Sequence, residues 1–433
     1  MEIKISRLGK INKAYDTFAL KEALVKNDAG DWGSEPDENA LGIIRSTNFT
    51  NEGKIKLDDI AYRTLKPTKV IEKTIYTNDI LIERSGGSDS QPVGRVLFVD
   101  DFIGKGGYAF ANFIQRIAVK NNFESKYIFY CLQQMYEVGI TASMQNQTTG
   151  IRNLDWKLYT KTILPKPPKP EQTAIATILS KVDEAIEATA QSIKAAEKLK
   201  KALMQNLLSG KLKPDGTWRK ANEFYEDEKF GKVPKGWEVE EIGNVLKRKT
   251  ETIDPTKTKV VFDYVGLEHI ISGRFTREGN GFSNETSSLK VCFNKGDVLL
   301  GKLRPYLNKV WVADISGVGS TEFLVFEKSD SVLWGYFNFQ MKRFLNFTQS
   351  VTAGTQHPRA SWKDIKRYLI LIPSNKLELI SIINKILVVD KRIQKKQAKI
   401  KTLERLKKSL MQQLLTGKKR LSEETIAHIN QTL

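Results

Sequence analysis

The sequence predicts an α+β protein: two mixed α/β domains joined by two long helices that form an antiparallel coiled coil, with a pseudo-twofold internal repeat. Three observations carry this. Residues 169–211 return, shifted by 207 positions without a gap, as residues 376–418, and 19 of the 43 aligned positions are identical. Average composition gives roughly one identity in fifteen, so the repeat is real. Both copies place apolar residues at alternating steps of four and three, the period of a coiled-coil seam. Shorter echoes of the first half also run through the second.

In the first copy the seam is Ile175, Leu179, Val182, Ile186, Ile193, Leu203 and Leu207, with Thr189 and Ala196 filling two of the remaining positions. In the second it is Ile382, Ile386, Val389, Ile393, Ile400, Leu403, Leu410 and Leu414. Pro170 and Glu171 suit a first helical turn, and Gly210 and Gly417 sit where a helix stops. From Ile175 to Leu207 such a helix is about 50 Å long at ~1.5 Å per residue. Antiparallel pairing is expected because the connection between the copies is short for a return along the full rod.

The echoes set the domain plan. Leu8-Gly9 answers Ile242-Gly243, Asn78-Asp-Ile-Leu-Ile answers Gly296-Asp-Val-Leu-Leu, and Leu154-Asp-Trp-Lys answers Ala360-Ser-Trp-Lys, with offsets of 234, 218 and 206. Loops therefore differ in length between the halves while the helices match residue for residue. The expected division is a first domain over 1–165, a central helix over 166–211, a linker over 212–229, a second domain over 230–372, a distal helix over 373–418 and a tail over 419–433. Within the first domain, Thr74–Ile82 and Gly94–Val99 read as strands and Ser125–Tyr136 as a helix. The segment ILPKPPKP, residues 163–170, reads as a stiff hinge into the first long helix.

Charge narrows the partners. With 69 Lys and Arg against 50 Asp and Glu, the net charge of +19 favours a polyanion. The two cysteines, Cys131 and Cys292, have no CxxC spacing, which excludes a disulfide framework and a Cys-rich zinc site and suits a reducing cytoplasm. No signal-peptide core and no apolar run of about 18 residues occurs, so a cytoplasmic protein without a membrane segment is expected.

Catalytic patterns are thin. The three histidines, His269, His357 and His428, are scattered, and HExxH, GxxxxGK[ST] and GxSxG are absent. Residues 96–106, VLFVDDFIGKG, resemble a glycine-rich adenosylmethionine loop, but no Asn/Asp-Pro-Pro-aromatic segment accompanies them, and a hairpin turn is the expected role. Pro214-Asp215 with Asp227-Glu-Lys229 fits a loose magnesium nuclease template, yet it lies in the polar linker. No catalytic and no metal-binding residue is assigned.

Basic, hydrogen-bonding loops are the positive signal. Residues 84–95 and 145–152 of the first domain supply Arg84, Arg95, Gln147 and Arg152. Residues 302–309 and 355–359 of the second supply Lys302, Arg304, Gln356 and Arg359. Arginine reads guanine and Asn or Gln reads adenine through paired hydrogen bonds, while lysine mostly neutralises phosphate. These eight residues are the candidate DNA contacts. The distal rod is basic as well, residues 391–420 holding twelve Lys and Arg and one acid, Glu404.

The segments PKPPKPEQTAIATILSKVDEAI, LKKALMQNLLSGKL, PKGWEVEEIGNV, GDVLLGKLRPYLNKV and LKKSLMQQLLTGK resemble those of the DNA specificity subunits of type I restriction-modification systems, over nearly the full length. The distal helix entry departs from the pattern, with Pro373-Ser-Asn-Lys-Leu-Glu where the first has Pro170-Glu-Gln, and the first domain lacks the Pro-Lys-Gly-Trp opening at residues 234–237. The resemblance implies a non-catalytic subunit with two target-recognition domains that each read one part of a split sequence in double-stranded DNA. It implies a helical spacer that sets the gap between those parts, near one helical turn or about 34 Å. Two methyltransferase subunits and the restriction subunits, motor and nuclease, are the implied protein partners. The chain itself needs no cofactor, its partners using S-adenosylmethionine, ATP and Mg. A stand-alone DNA methyltransferase or nuclease, and a coiled-coil structural adaptor without DNA affinity, are the alternatives.

Overall fold

The computed structural model describes residues 5–88, 91–148, 151–273, 276–352 and 358–432. The chain divides into two compact units, one of residues 1–190 with 398–433 and the other of residues 191–397. Each unit holds one domain, part of the helix Lys169–Leu208 and part of the helix Lys376–Leu414.

In the first unit a four-stranded sheet runs in the order Leu24–Ala29, Ile114–Val119, Ile80–Glu83, Val96–Phe98. The predicted helix is present as Ser125–Glu137 and buries Tyr127, Ile128, Leu132 and Met135. That core is completed by Ile175 and Leu179 of the first long helix and by Met411, Leu414 and Leu415 from the end of the second. The strand entering at Ile80 is set by a turn: Asn78 takes φ +73° and the Asp79 carboxylate accepts the Tyr76 backbone N–H at 2.9 Å. Residues 74–79 thus form the approach to a strand shorter than the sequence suggests. The expected hairpin turn at 96–106 is a short helix instead, Asp101–Gly104, because the Asp100 side chain caps it by accepting from Ile103 N.

The second unit repeats this plan with Arg248–Lys249, Phe323–Phe326, Val298–Gly301 and Val310–Val312 in the equivalent order and with the helix Asp330–Phe339. Gly296 takes φ +95° where Asn78 stands in the first unit, and Asp297 accepts from Asn294 N at 2.8 Å as Asp79 does from Tyr76. The strand leading into each long helix is paired with the start of its own domain, Ile163–Lys166 with Asp16–Ala19 and Leu369–Pro373 with Trp237–Glu241. Part of the segment expected as a surface linker is a hairpin, Phe224–Asp227 with Gly231–Pro234, whose turn is closed by Lys229 N and Phe230 N donating to Asp227.

The long helices run antiparallel in each unit. In the first, Asp183 meets Lys407 at 2.8 Å and Glu171 meets Arg420 at 2.7 Å; in the second, Lys200 meets Asp390 at 2.6 Å and Ser192 meets Lys396. Rising numbers in one helix face falling numbers in the other. All fifteen seam residues are buried or half-buried, Ile175, Leu179, Leu207, Ile382 and Ile386 completely.

Lysines break the apolar run at three seam positions, Lys200, Lys396 and Lys407. Lys200 and Lys407 occupy the same place in the two copies, and so do their partners Asp390 and Asp183. Tyr130 donates to Asp183 at 2.8 Å, with the Lys407 ammonium 5.6 Å from its ring centroid. Burial and the neighbouring Asp183 carboxylate hold the Tyr130 hydroxyl far above its ordinary value. A charged pair within an apolar seam contributes little net stability but penalises other registers, where each charge would be buried alone.

The helix entries are also matched, despite the divergent sequence before the second. Glu171, 1 % exposed, accepts from Tyr15 and Arg420, and Arg420 lies over the Tyr15 ring. Glu378 is bound by Arg219, which lies over the Trp237 ring. In both units the arginine comes from the chain just beyond the end of the opposite helix.

Candidate nucleic-acid interface

In the first domain Arg84 ends the strand Ile80–Glu83, and Ser85–Gly87 then joins Ile151–Leu154 and Gln145–Thr148 in a three-stranded sheet. Gln147 stands opposite Arg152, and Arg152 opposite Gly87. The junction is fixed by Leu154 N donating to Arg84 O at 2.8 Å. Arg84 donates from Nη1 to Gln115 at 3.1 Å and stays half-exposed, as does Arg152. The strand pairing therefore puts Gln147 and Arg152 on one small sheet, and the bond from Leu154 N sets Arg84 beside it. The side chain of Gln147, with residues 149–150 beyond it, lies outside the described part.

Arg95 departs from the expectation. It is 8 % exposed, its guanidinium forks onto Glu83 at 2.8 and 2.6 Å, and its remaining donors reach Phe49 O and Ser46 O at 2.8 and 3.0 Å. The physical reason is that Arg95 precedes the strand Val96–Phe98 beside the strand carrying Glu83, so its side chain enters the domain and ties strand to loop. Sequence pattern reads an arginine next to Gly and Pro as a loop cation, and no local signal marks its partner twelve residues earlier.

The second domain brings its loops together in the same way. Lys302 follows the strand Val298–Gly301, and Ala360 N donates to Lys302 O at 3.1 Å, the counterpart of Leu154 on Arg84. Leu303 bridges to Arg359, and Arg304 N donates to Pro358 O at 2.7 Å. Arg304 is exposed, Lys302 half-exposed, and Arg359 keeps 53 % of its side chain exposed while donating to Glu322 at 3.1 Å. Gln356 lies outside the described residues.

The remaining motifs serve local structure. Asp215 accepts from Thr217 and Asp227 from its own turn, so the carboxylates of the nuclease-like pattern act as turn caps. Among the described residues no group of three or more His, Cys, Asp or Glu could hold a metal ion, and no helix is long and apolar enough to cross a membrane. In the basic stretch 391–420, Lys407 is buried beside Asp183 and Arg420 is bound to Glu171, whereas Lys399, Lys401, Arg405 and Lys408 are exposed.

Residues 35–198 match the type I restriction modification DNA specificity domain. The chain is 24% identical over 381 residues to the MjaVIII type I restriction enzyme specificity subunit of Methanocaldococcus jannaschii, covering 84% of each. It is 21% identical over 453 aligned positions to the MjaX specificity subunit, described as putative, of the same organism, covering 96% of each. In three dimensions it is similar to the S subunit of a type I restriction-modification system from M. genitalium, at 15% identity and a TM-score of 0.56, over 96% of this chain and 99% of that one. The chain is thus similar in sequence to type I restriction enzyme specificity subunits over most of its length, and it shares the fold of the M. genitalium S subunit.

Proposed function

We propose that the chain reads the two parts of a split sequence in double-stranded DNA, one with each domain. Its helices set the distance between the parts, and methyltransferase and motor/nuclease partners supply the chemistry in trans. The observation that carries the reading is the duplicated loop junction. Leu154 N on Arg84 O in one domain and Ala360 N on Lys302 O in the other each clamp a cation-bearing loop at the end of an equivalent strand. The same loop pair presented twice, with different residues, is what recognition of two unlike half-sites requires. Arg84, Gln147, Arg152, Lys302, Arg304, Gln356 and Arg359 are the proposed contacts. Arg95 is withdrawn from that set by its buried pairing with Glu83.

The domain limits are proposed as 1–165 and 230–372, with the first long helix and residues 373–418 as spacer. Two methyltransferase subunits using S-adenosylmethionine, and restriction subunits using ATP and Mg, are the proposed partners, in the cytoplasm. The experiment is retardation of duplex DNA by the purified chain, followed by incubation with labelled S-adenosylmethionine with and without the partner methyltransferase. Sequence-selective retardation, with methyl transfer only when the partner is added, is expected. Transfer by the chain alone would establish a stand-alone methyltransferase, and absence of retardation at low salt a structural adaptor.

A further inference from the structure

Between the strands Val298–Gly301 and Val310–Val312 the chain makes a closed loop, with Gly301 N donating to Lys309 O at 2.8 Å. Its tip is one 3-10 turn, Pro305–Leu307, flanked by Arg304 at φ +49° and Asn308 at φ +46°. Left-handed backbone is unfavourable for residues other than glycine and persists where the surroundings over-determine it. Only three such residues occur among those described, and two of them bracket this single turn. The surroundings are visible. Arg304 N is held by Pro358 O, Leu307 O accepts from Ser272, Lys309 Nζ donates to Leu267 O, and the turn packs against the helix Lys342–Ser350.

Pro305 and Asn308 are buried in this arrangement, while Tyr306 between them is 50 % exposed. A rigid, multiply anchored turn therefore presents one aromatic ring beside the exposed Arg304. The equivalent loop of the first domain differs: residues 84–95 contain no aromatic, and Gly86, at φ +103°, stands near its start.

We infer that Tyr306 is a specificity-determining residue of the second domain, its ring packing against bases of one half-site while the neighbouring cations hold phosphates. The inference rests on the DNA-reading function proposed above. In a duplex an aromatic ring meets base edges and the thymine methyl group in the groove, a contact distinct from the guanine reading of arginine and the phosphate neutralisation of lysine. A ring carried on an anchored backbone gives up only its side-chain freedom on contact.

The test uses the full chain and a pool of randomised duplexes, from which the preferred sequence is selected. Tyr306→Ser is expected to weaken binding to the selected duplex about tenfold, as the loss of one specific base-pair contact does, to leave binding to random duplex and its salt dependence unchanged, and to relax preference in one half of the sequence only. Tyr306→Phe is expected to bind as the natural chain does. Undiminished selectivity of Tyr306→Ser overturns the inference. So does an equal loss on random duplex with a shallower salt dependence, or a Phe variant as impaired as Ser. If the natural chain itself selects no sequence, the DNA-reading function fails as well, an outcome distinct from a selective chain indifferent to Tyr306. Thermal unfolding followed by circular dichroism checks that both variants are folded.

Discussion

Lys407 Nζ lies 2.8 Å from Asp183 Oδ1, and the pair formed by their repeat equivalents, Lys200 and Asp390, lies at 2.6 Å. Each ion pair joins the two long helices within its own unit, at a seam position where an apolar residue would otherwise stand. Removing one partner leaves the other charge poorly solvated. Asp183→Ala is expected to destabilise the protein by about 2 kcal/mol, less than for a fully buried pair because part of the Asp183 side chain remains exposed. Replacing both partners by Met and Leu is expected to recover most of that loss. Urea unfolding of the single and double variants measures the coupling.

Arg95→Ala tests the reassignment of that residue. Glu83 is 2 % exposed and would lose both bonds to the guanidinium. A loss of roughly 3–5 kcal/mol is expected, with no change in the salt dependence of DNA binding by whatever fraction remains folded. A slope reduced by one phosphate contact and unchanged stability would return Arg95 to the interface.

Arg304→Gly is expected to change stability and binding in opposite directions. Glycine adopts φ +49° without strain, so stability should rise by up to about 1 kcal/mol, offset in part by the freedom glycine gains in the unfolded chain. The salt slope of DNA binding should fall by about 0.9 if Arg304 holds one phosphate. Differential scanning calorimetry and a salt titration read the two quantities independently.

Alkaline pH should destabilise the fold through its buried acids. Burial pushes the Cys131 thiol up to about 12 from an ordinary 9.0, and raises the Tyr368 hydroxyl to about 12 against the opposing pull of Arg343. Both groups hold their protons more tightly folded than unfolded. Their contribution is complete below the unfolded values and is lost as pH rises from about 9 toward 12. Cys131→Ala should flatten the lower part of this decline in a pH series of urea midpoints, and Cys131 should resist thiol reagents at neutral pH until the chain unfolds.

What could be read in advance depended on whether a residue's role was local. The seam, both long helices and the helix Ser125–Glu137 follow from periodicity, which is a property of neighbours in the chain. Lys200 and Lys407 were passed over in the seam because a binary pattern treats lysine as surface, and their aspartates are distant in sequence. Glu378 was obscured by the altered residues before it, although Arg219 keeps the same contact that Arg420 makes with Glu171. The interface loops were visible as polar, glycine-containing segments. Which of their cations faces inward was not, since the burial of Arg95 is decided by Glu83 on the neighbouring strand. Tyr306 lies in a segment dominated by basic residues, and its presentation depends on backbone angles that composition does not encode.

The division of the chain has a consequence for synthesis on the ribosome. One unit is a single continuous stretch, residues 191–397, whereas the other needs Met411, Leu414 and Leu415 to close a core begun near Phe18. At roughly 5–20 residues per second, the first-made domain waits on the order of ten to forty seconds after residue 190 emerges before its last apolar side chains arrive. The later-made unit is complete sooner after its own start. During that interval the nascent first domain carries an open greasy edge, and chaperone occupancy should peak there and end once Met411, Leu414 and Leu415 have emerged.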